Sequence, residues 1–262
     1  MILTEALADR IERALASASA ARTAEIQRLP DNPLDVELRT FGDLRARRVG
    51  RELAYYPYFN GPFDPRANAE GSVAELVAWY HGRAPNCYVR ATPVFSSDGL
   101  LAALAAAGLR QSDFMSVLYG EPDPASPRLP AGLRIEVSSR AAFVDLWTAN
   151  APEAERALRQ RLASAEFTSW RCFVATLDGQ AAAHAGLYLD TTSGTAVLAA
   201  AATLPTHQGR GCQTALLRAR LAEAARQGYQ LAVAEASPGS TSQRNMQRVG
   251  LRLAYTKAVW SF

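Results

Sequence analysis

The residues best suited to chemistry in this chain lie between Thr203 and Leu217, in the run Thr-Leu-Pro-Thr-His-Gln-Gly-Arg-Gly-Cys-Gln-Thr-Ala-Leu-Leu. Gly209 and Gly211 stand where a loop opens into a helix whose apolar stripe is Leu216, Leu217 and Leu221. The first N–H groups of a helix have no carbonyl to bond, and the helix dipole makes that end positive, so such a start suits an anion. Two glycines let a diphosphate approach the backbone without a Cβ in the way. Arg210 adds a cation. The loop is no P-loop, because no Gly-Lys-Ser/Thr follows, and no dinucleotide fingerprint, because the strands expected before it form an antiparallel meander. A bare Gly-x-Gly serves equally well as a tight strand-to-helix turn.

Other candidates are scattered. Glu235 ends the apolar strand expected over 230–236, where a carboxylate could act as a base, directly or through water, or sit as a surface or ion-paired Glu. Ser242, Asn245, Met246 and Val249 share one helical face by their spacing of three and four. Asn245 also reads as a solvent-facing or capping Asn. Tyr255 on the last strand could supply a proton or simply pack there. His184 falls within a strand and could face the core, His207 precedes the loop, and His81 ends a helix. Cys212 occupies an apolar position with no base beside it, which suits packing better than nucleophilic attack. The three cysteines, Cys87, Cys172 and Cys212, have neither disulfide nor zinc spacing, so no metal is expected.

The elements that must position these residues follow from periodicity. Leu3, Leu7, Ile11 and Leu15 make one stripe of a helix over 1–28, closed by Asp31-Asn32-Pro33. A strand at 36–39, helices at 43–53 and 72–80, a strand at 87–90, a helix at 98–107 and a strand at 111–119 follow. The aromatic run 54–68, with Tyr55, Tyr56, Tyr58, Phe59 and Phe63, is too rich in Pro and Gly for regular structure. It reads as a pocket or interface lining, or as rings sealing the core edge. Four prolines within 121–132 mark a stiff linker and the best boundary, dividing the chain into 1–126 and 131–262. The second part reads β-αα-βββ-α-β-α-β, a mixed, mostly antiparallel α/β sheet flanked by helices.

Composition narrows the function classes. The chain has 262 residues, 28 Lys and Arg against 25 Asp and Glu, and a net charge of +3. That balance, with no run of like charges, argues against a nucleic-acid partner. No stretch approaches about 18 uncharged apolar residues, so no membrane span is expected, and the N-terminus lacks signal-peptide character. A cytoplasmic setting follows from these and from the sparse cysteines. The abundance of Ala and Arg points to a bacterial source.

Gln208-Gly209-Arg210-Gly211-Cys212-Gln213 resembles the Q/R-x-x-G-x-G/A loop of the GNAT superfamily of acetyl-CoA-dependent acyltransferases. It matches at Gln208 and Gly211 and departs at Gln213, where the family has Gly or Ala. The stretch Gln243 to Leu251 resembles the family's last helix, and the resemblance spans about 131–262. It implies acetyl-CoA as co-substrate, with the loop from Gln208 to Thr214 on the pyrophosphate. Ala202, Thr203 and Leu204 would pair with the pantetheine arm, and Ser242 or Asn245 would bond its amides. The thioester would enter a gap between the third meander strand and strand 230–236. The family's Tyr acid would fall at Met246, which leaves Tyr255 as a substitute acid and Glu235 as a base.

The first half looks like a decayed copy of the same fold. Thr92-Pro93 through Gly108-Leu109-Arg110 to Tyr119 parallels Ser237-Pro238 through Gly250-Leu251-Arg252 to Trp260. No phosphate loop occurs before residue 121, so this half is expected to shape the acceptor site or a dimer contact. The function expected is acetyl transfer to the primary amine of a small or amino-acid-like acceptor, directly within a ternary complex, with a homodimer left open. A CoA-binding sensor without catalysis, and a tandem-fold transferase using a longer acyl or an aminoacyl donor, are the alternatives.

Overall fold

A computed structural model describes residues 2–42, 44–50, 60–63, 70–84, 86–125, 128–149 and 151–262. The aromatic run read at 54–68 therefore lies outside the described residues except for 60–63. The chain forms two compact units, one of residues 2–116 with 254–262, the other of residues 117–253. The second unit is thus contiguous, whereas the first takes in the chain's last strand. The sequence division at 126 and 131 kept that strand with the second part.

The first unit opens with α1 (Glu5–Gln27), capped by the Thr4 hydroxyl, which accepts from Leu7 N at 3.2 Å. β1 (Val36–Phe41) and β2 (Leu44–Val49) pair antiparallel from Val36↔Val49 to Phe41↔Leu44. The helix expected over 43–53 is thus a strand over its described part. The tight turn at Gly42, with φ of 56°, reverses the chain directly after β1, and Leu44-Arg-Ala-Arg-Arg-Val then buries most of its length. The arginines that look helical are held one by one. Arg47 donates to Thr23, and Arg48 pairs with Asp35 and Glu37. β3 (Gly61–Pro62) adds to β2, and α2 (Val73–Tyr80) covers this small sheet through Leu76, Val77 and Trp79.

β4 (Val89–Ala91), α3 (Asp98–Ala106) and β5 (Arg110–Gly120) follow. β6 (Leu133–Val137), α4 (Arg140–Thr148), α5 (Glu153–Glu166), β7 (Trp170–Leu177), β8 (Gln180–Asp190), β9 (Thr195–Thr203), α6 (Cys212–Arg226), β10 (Leu231–Ala236), α7 (Thr241–Arg248) and β11 (Arg252–Ser261) complete the chain. In the second unit the strands run in the order β6-β7-β8-β9-β10. All neighbours are antiparallel except β9 and β10. The fold is mixed α/β with a mostly antiparallel sheet, as the element order implied.

α6 lays Leu216, Leu217 and Leu221 on strands lined with Ala183, Ala185, Ala196 and Ala232. Alanine keeps the strand surface low, so the leucines reach full burial, worth about 2 kcal/mol each. Phe143 on α4, Phe167 just after α5 and Trp170 at the start of β7 pack edge to face at 4.6 and 6.0 Å.

The two segments that look alike in sequence share hydrogen bonds. Ser97 Oγ accepts from Leu100 N at the start of α3, and Ser240 Oγ from Gln243 N at the start of α7. Both helices end on a left-handed glycine, Gly108 at φ 85° and Gly250 at φ 97°. In both, the next amide closes the last turn, Leu109 N to Leu104 O and Leu251 N to Met246 O at 3.1 Å each.

Within the first unit, β11 lies beside β4, with Ala258↔Ala91 and Trp260↔Val89. Its inward face carries Lys257, whose ammonium donates to Glu12 Oε2 at 2.8 Å, and Tyr255, whose hydroxyl donates to Glu12 Oε1 at 2.6 Å. Glu12 is 0% and Lys257 2% exposed, so neither charge could stay buried without the other. We expect Lys257→Met to lower stability by about 3–5 kcal/mol in urea denaturation. Adding Glu12→Leu should recover much of that loss, because the stranded carboxylate is then gone.

Candidate functional site

β9 sets the site. It pairs in parallel with β10 only from Thr195↔Leu231 to Leu198↔Ala234. Beyond Leu198, β9 carries an extra residue against β8, so that Gly186 faces Ala199 and His184 faces Ala202. Ala200 sits in this bulge at φ 51°, a left-handed conformation that costs an alanine about 1 kcal/mol. Burial falls at the same place. Residues 195–198 are buried, whereas Ala201 and Ala202 are exposed. The strand edge that leaves β10 is therefore open to another extended partner.

Two side chains hold the bulge. His184 on β8 contacts the Ala200 carbonyl through Nδ1 at 3.1 Å. Arg220 on α6 donates to the carbonyls of Gly186 at 3.0 Å, Ala199 at 3.3 Å and Leu216 at 3.1 Å. The histidine is 3% exposed, and Phe143 meets its ring edge-on at 4.9 Å. Burial, with help from the Arg220 charge and against the Ala200 hydrogen bond, pushes its pKa down to about 4. The imidazole is thus neutral at physiological pH, with Nδ1 as donor to Ala200 and Nε2 left as an acceptor.

The loop after β9 builds the opposite wall. Gly209 and Gly211 both have positive φ, 77° and 83°. Gly211 is the N-cap of α6 and supplies no side-chain oxygen, so no side chain caps the first turn of the helix. A Cβ on Gly209 would meet nothing within 4 Å, and one on Gly211 would meet only Pro130, at 3.3 Å. Both glycines are needed for their backbone angles.

A cavity of about 760 Å³ lies between these walls. Its lining includes Ala202, Thr203, Gln208, Gly209, Gly211, Cys212, Gln213, Thr214, Ser242 and Asn245, which brings most of the residues read from the sequence to one place. His184, His207, Thr241 and Arg248 line it as well.

Four expected residues are placed elsewhere. The Arg210 guanidinium pairs with Asp178 at 3.1 Å on the surface, away from the lining. The Leu204 amide donates to Ala182 O at 2.9 Å, so it is not available to a ligand. Glu235 is half-buried directly after the last paired residue of β10, at the mouth of the divergence but outside the lining. Tyr255 belongs to the other unit, where its hydroxyl donates a hydrogen bond to Glu12.

Gln213, where a small residue was expected, takes a definite role. Its Nε2 donates to Ser242 Oγ at 3.0 Å, and its Oε1 accepts from Asn245 Nδ2 at 2.5 Å. Arg248 donates to Asn245 Oδ1 at 2.6 Å. This chain of hydrogen bonds ties the first turn of α6 to α7 and fixes the cavity wall. Cys212 is 1% exposed and burial pushes its thiol up, so it fills space rather than attacking. Among the described residues no cluster of metal-ligating side chains occurs, and no helix is long and apolar enough to cross a membrane.

Residues 140–250 match the model of the acetyltransferase (GNAT) family. No curated protein matches the chain. Among solved structures, a GCN5-related N-acetyltransferase from Kribbella flavida superposes with a TM-score of 0.64 at 16% identity, over 94% of this chain and 95% of that one. A tandem GNAT protein from the clavulanic acid biosynthesis pathway gives 0.62 at 15% identity, over 97% and 94%. A GCN5-related N-acetyltransferase from Sphaerobacter thermophilus gives 0.58 at 18%, over 100% and 94%. These likenesses establish the fold over nearly the whole chain, and a tandem arrangement is compatible with them.

The buried histidine generates a pH dependence. Its folded pKa of about 4 lies below the ordinary 6.5, so between those values the unfolded chain binds a proton that the folded one refuses. Its effect is nil above pH 6.5 and grows as pH falls, to about 3 kcal/mol of destabilisation below pH 4. Urea denaturation of the wild type and His184→Gln across that range should show a shallower pH dependence in the variant by about that amount.

Proposed function

We propose, for a chain whose residues 140–250 match the model of the acetyltransferase (GNAT) family, that the cavity beside β9 holds acetyl-CoA and that the acetyl group passes directly to a primary amine. The observation that carries this reading is the junction of two features in one cavity. A helix start with two left-handed glycines and no capping side chain faces a strand edge freed by a bulge. The first suits a diphosphate, the second an extended chain of amides, and CoA joins the two. The cavity volume lies within the range of cofactor-sized sites.

Direct transfer is favoured by the state of the thiols. Cys212 is the one cysteine on the lining among the described residues, and it is a buried, protonated thiol. No acyl-enzyme at that residue is expected. The amine nitrogen attacks the thioester carbonyl, the C–S bond breaks with its electron pair on sulfur, and the nitrogen's proton ends on the thiol. Glu235 directly follows the last residue of β10 paired with β9, which supports it as the base that takes that proton, directly or through water, and passes it to sulfur. The acceptor is a small or amino-acid-like amine.

A second reading, a CoA-binding protein without turnover, draws on two observations. Met246, at the family's Tyr position, is a buried core residue, and the Tyr255 hydroxyl is engaged by Glu12. Thiol release from acetyl-CoA with a panel of amines separates the two. Turnover on any amine, with initial-rate patterns of a ternary complex, supports transfer. Tight binding of CoA without turnover on every amine supports the second reading.

The loop geometry can be tested by itself. Gly211→Val places a β-branched residue at φ 83° and a side chain against Pro130. We expect CoA affinity by calorimetry to drop at least about tenfold, because the strained loop turns its amides out of register. The circular dichroism should be unchanged.

A further inference from the structure

Arg220 is 1% exposed, yet among the described residues its partners are three backbone carbonyls and no carboxylate. The nearest acid along its own helix, Glu223, is held by Arg171 and Arg226. A buried guanidinium that pairs only with neutral dipoles keeps most of its positive field, because no opposite charge cancels it and little water screens it. Burial works against its charge, but a guanidinium held by three carbonyl acceptors stays protonated through the range in which a thiol titrates.

Its location gives that field a target. Two of the three carbonyls belong to the residue pair Gly186 and Ala199, where β9 begins to leave β10. The third belongs to Leu216, which lines the cavity. The cavity-lining His184 feels the same charge, which helps keep it neutral. Among the described residues, charged groups near the opening include Arg248 on its lining and Glu235 in β10, just past the pairing with β9.

We infer that Arg220 is an electrostatic positioning residue, a buried cation behind the bulge that favours the thiolate form of a thiol bound where β9 and β10 diverge. In acetyl transfer, sulfur leaves with the electron pair of the C–S bond, so a site that stabilises the thiolate eases that departure before the amine's proton reaches sulfur. The inference rests on the reading that CoA binds in this cavity. It assigns Arg220 no contact with the ligand and no proton transfer.

The test uses the full-length protein saturated with CoA and follows thiolate absorbance in the ultraviolet as pH is raised. In the wild type the bound thiol should titrate about one pH unit below free CoA. Arg220→Lys keeps a charge and should keep part of the shift, whereas Arg220→Met should abolish it. Bound CoA that titrates like free CoA in the wild type overturns the inference while leaving the cofactor assignment standing. An equal shift in wild type and Arg220→Met also overturns it. Should Arg220→Met fail to fold, the comparison of wild type, Arg220→Lys and free CoA decides alone, and a shift that Arg220→Lys does not diminish counts against Arg220. Calorimetry showing no CoA binding to the wild type overturns the cofactor assignment and this inference together.

Discussion

Everything in the second unit depends on where the parallel pairing of β9 with β10 stops. Four residue pairs hold the strands together, and after Leu198 and Ala234 they separate. A sheet does not split without reason, since each unpaired buried amide or carbonyl costs more than a hydrogen bond returns. The reason is the extra residue around Ala200, which turns β9 while β8 stays in contact. The carbonyls disturbed by that turn are met from both sheet faces, one by His184 and two by Arg220. The bulge therefore keeps its shape without a ligand, and the opening is preformed.

The helix start complements this opening because the chain reaches it by the shortest path. From the end of β9, one short turn at Pro205–His207 and the two glycines bring the first amides of α6 beside the freed strand edge. Gln213 then reaches across to Ser242 and Asn245, so the wall of α7 cannot drift away from α6. The start of α6 presents backbone groups to the cavity, while side chains supply rigidity. That division explains why Arg210 can pair with Asp178 at the surface without harming the arrangement.

Much of this was legible in the sequence because it is local. Gly209 and Gly211 announce their angles, the alternation of 170–203 announces the meander, and serine before each of α3 and α7 announces a cap. Failures came where the decisive partner is distant. The segment 43–53 has helical composition, but pairing with β1 across Gly42 outweighs that preference. Nothing near Tyr255 in sequence shows that Glu12, 243 residues away, accepts the hydrogen bond of its hydroxyl. Arg220 left a trace that could have been followed. It falls four residues after Leu216 and three after Leu217, on the apolar stripe, where a charged residue calls for a buried partner.

The Glu12–Lys257 pair has a consequence for the order of events during synthesis. The unit built from 117–253 is continuous, so it can fold as soon as those residues have left the ribosome. The unit that contains α1 must wait, because its strand β11 and the counter-charge for Glu12 are made after residues 117–253. Until then a carboxylate destined for a dry interior stays in water, and α1 lacks the neighbour that buries it. The segment around α1 thus stays unfinished while the whole of 117–253 is made.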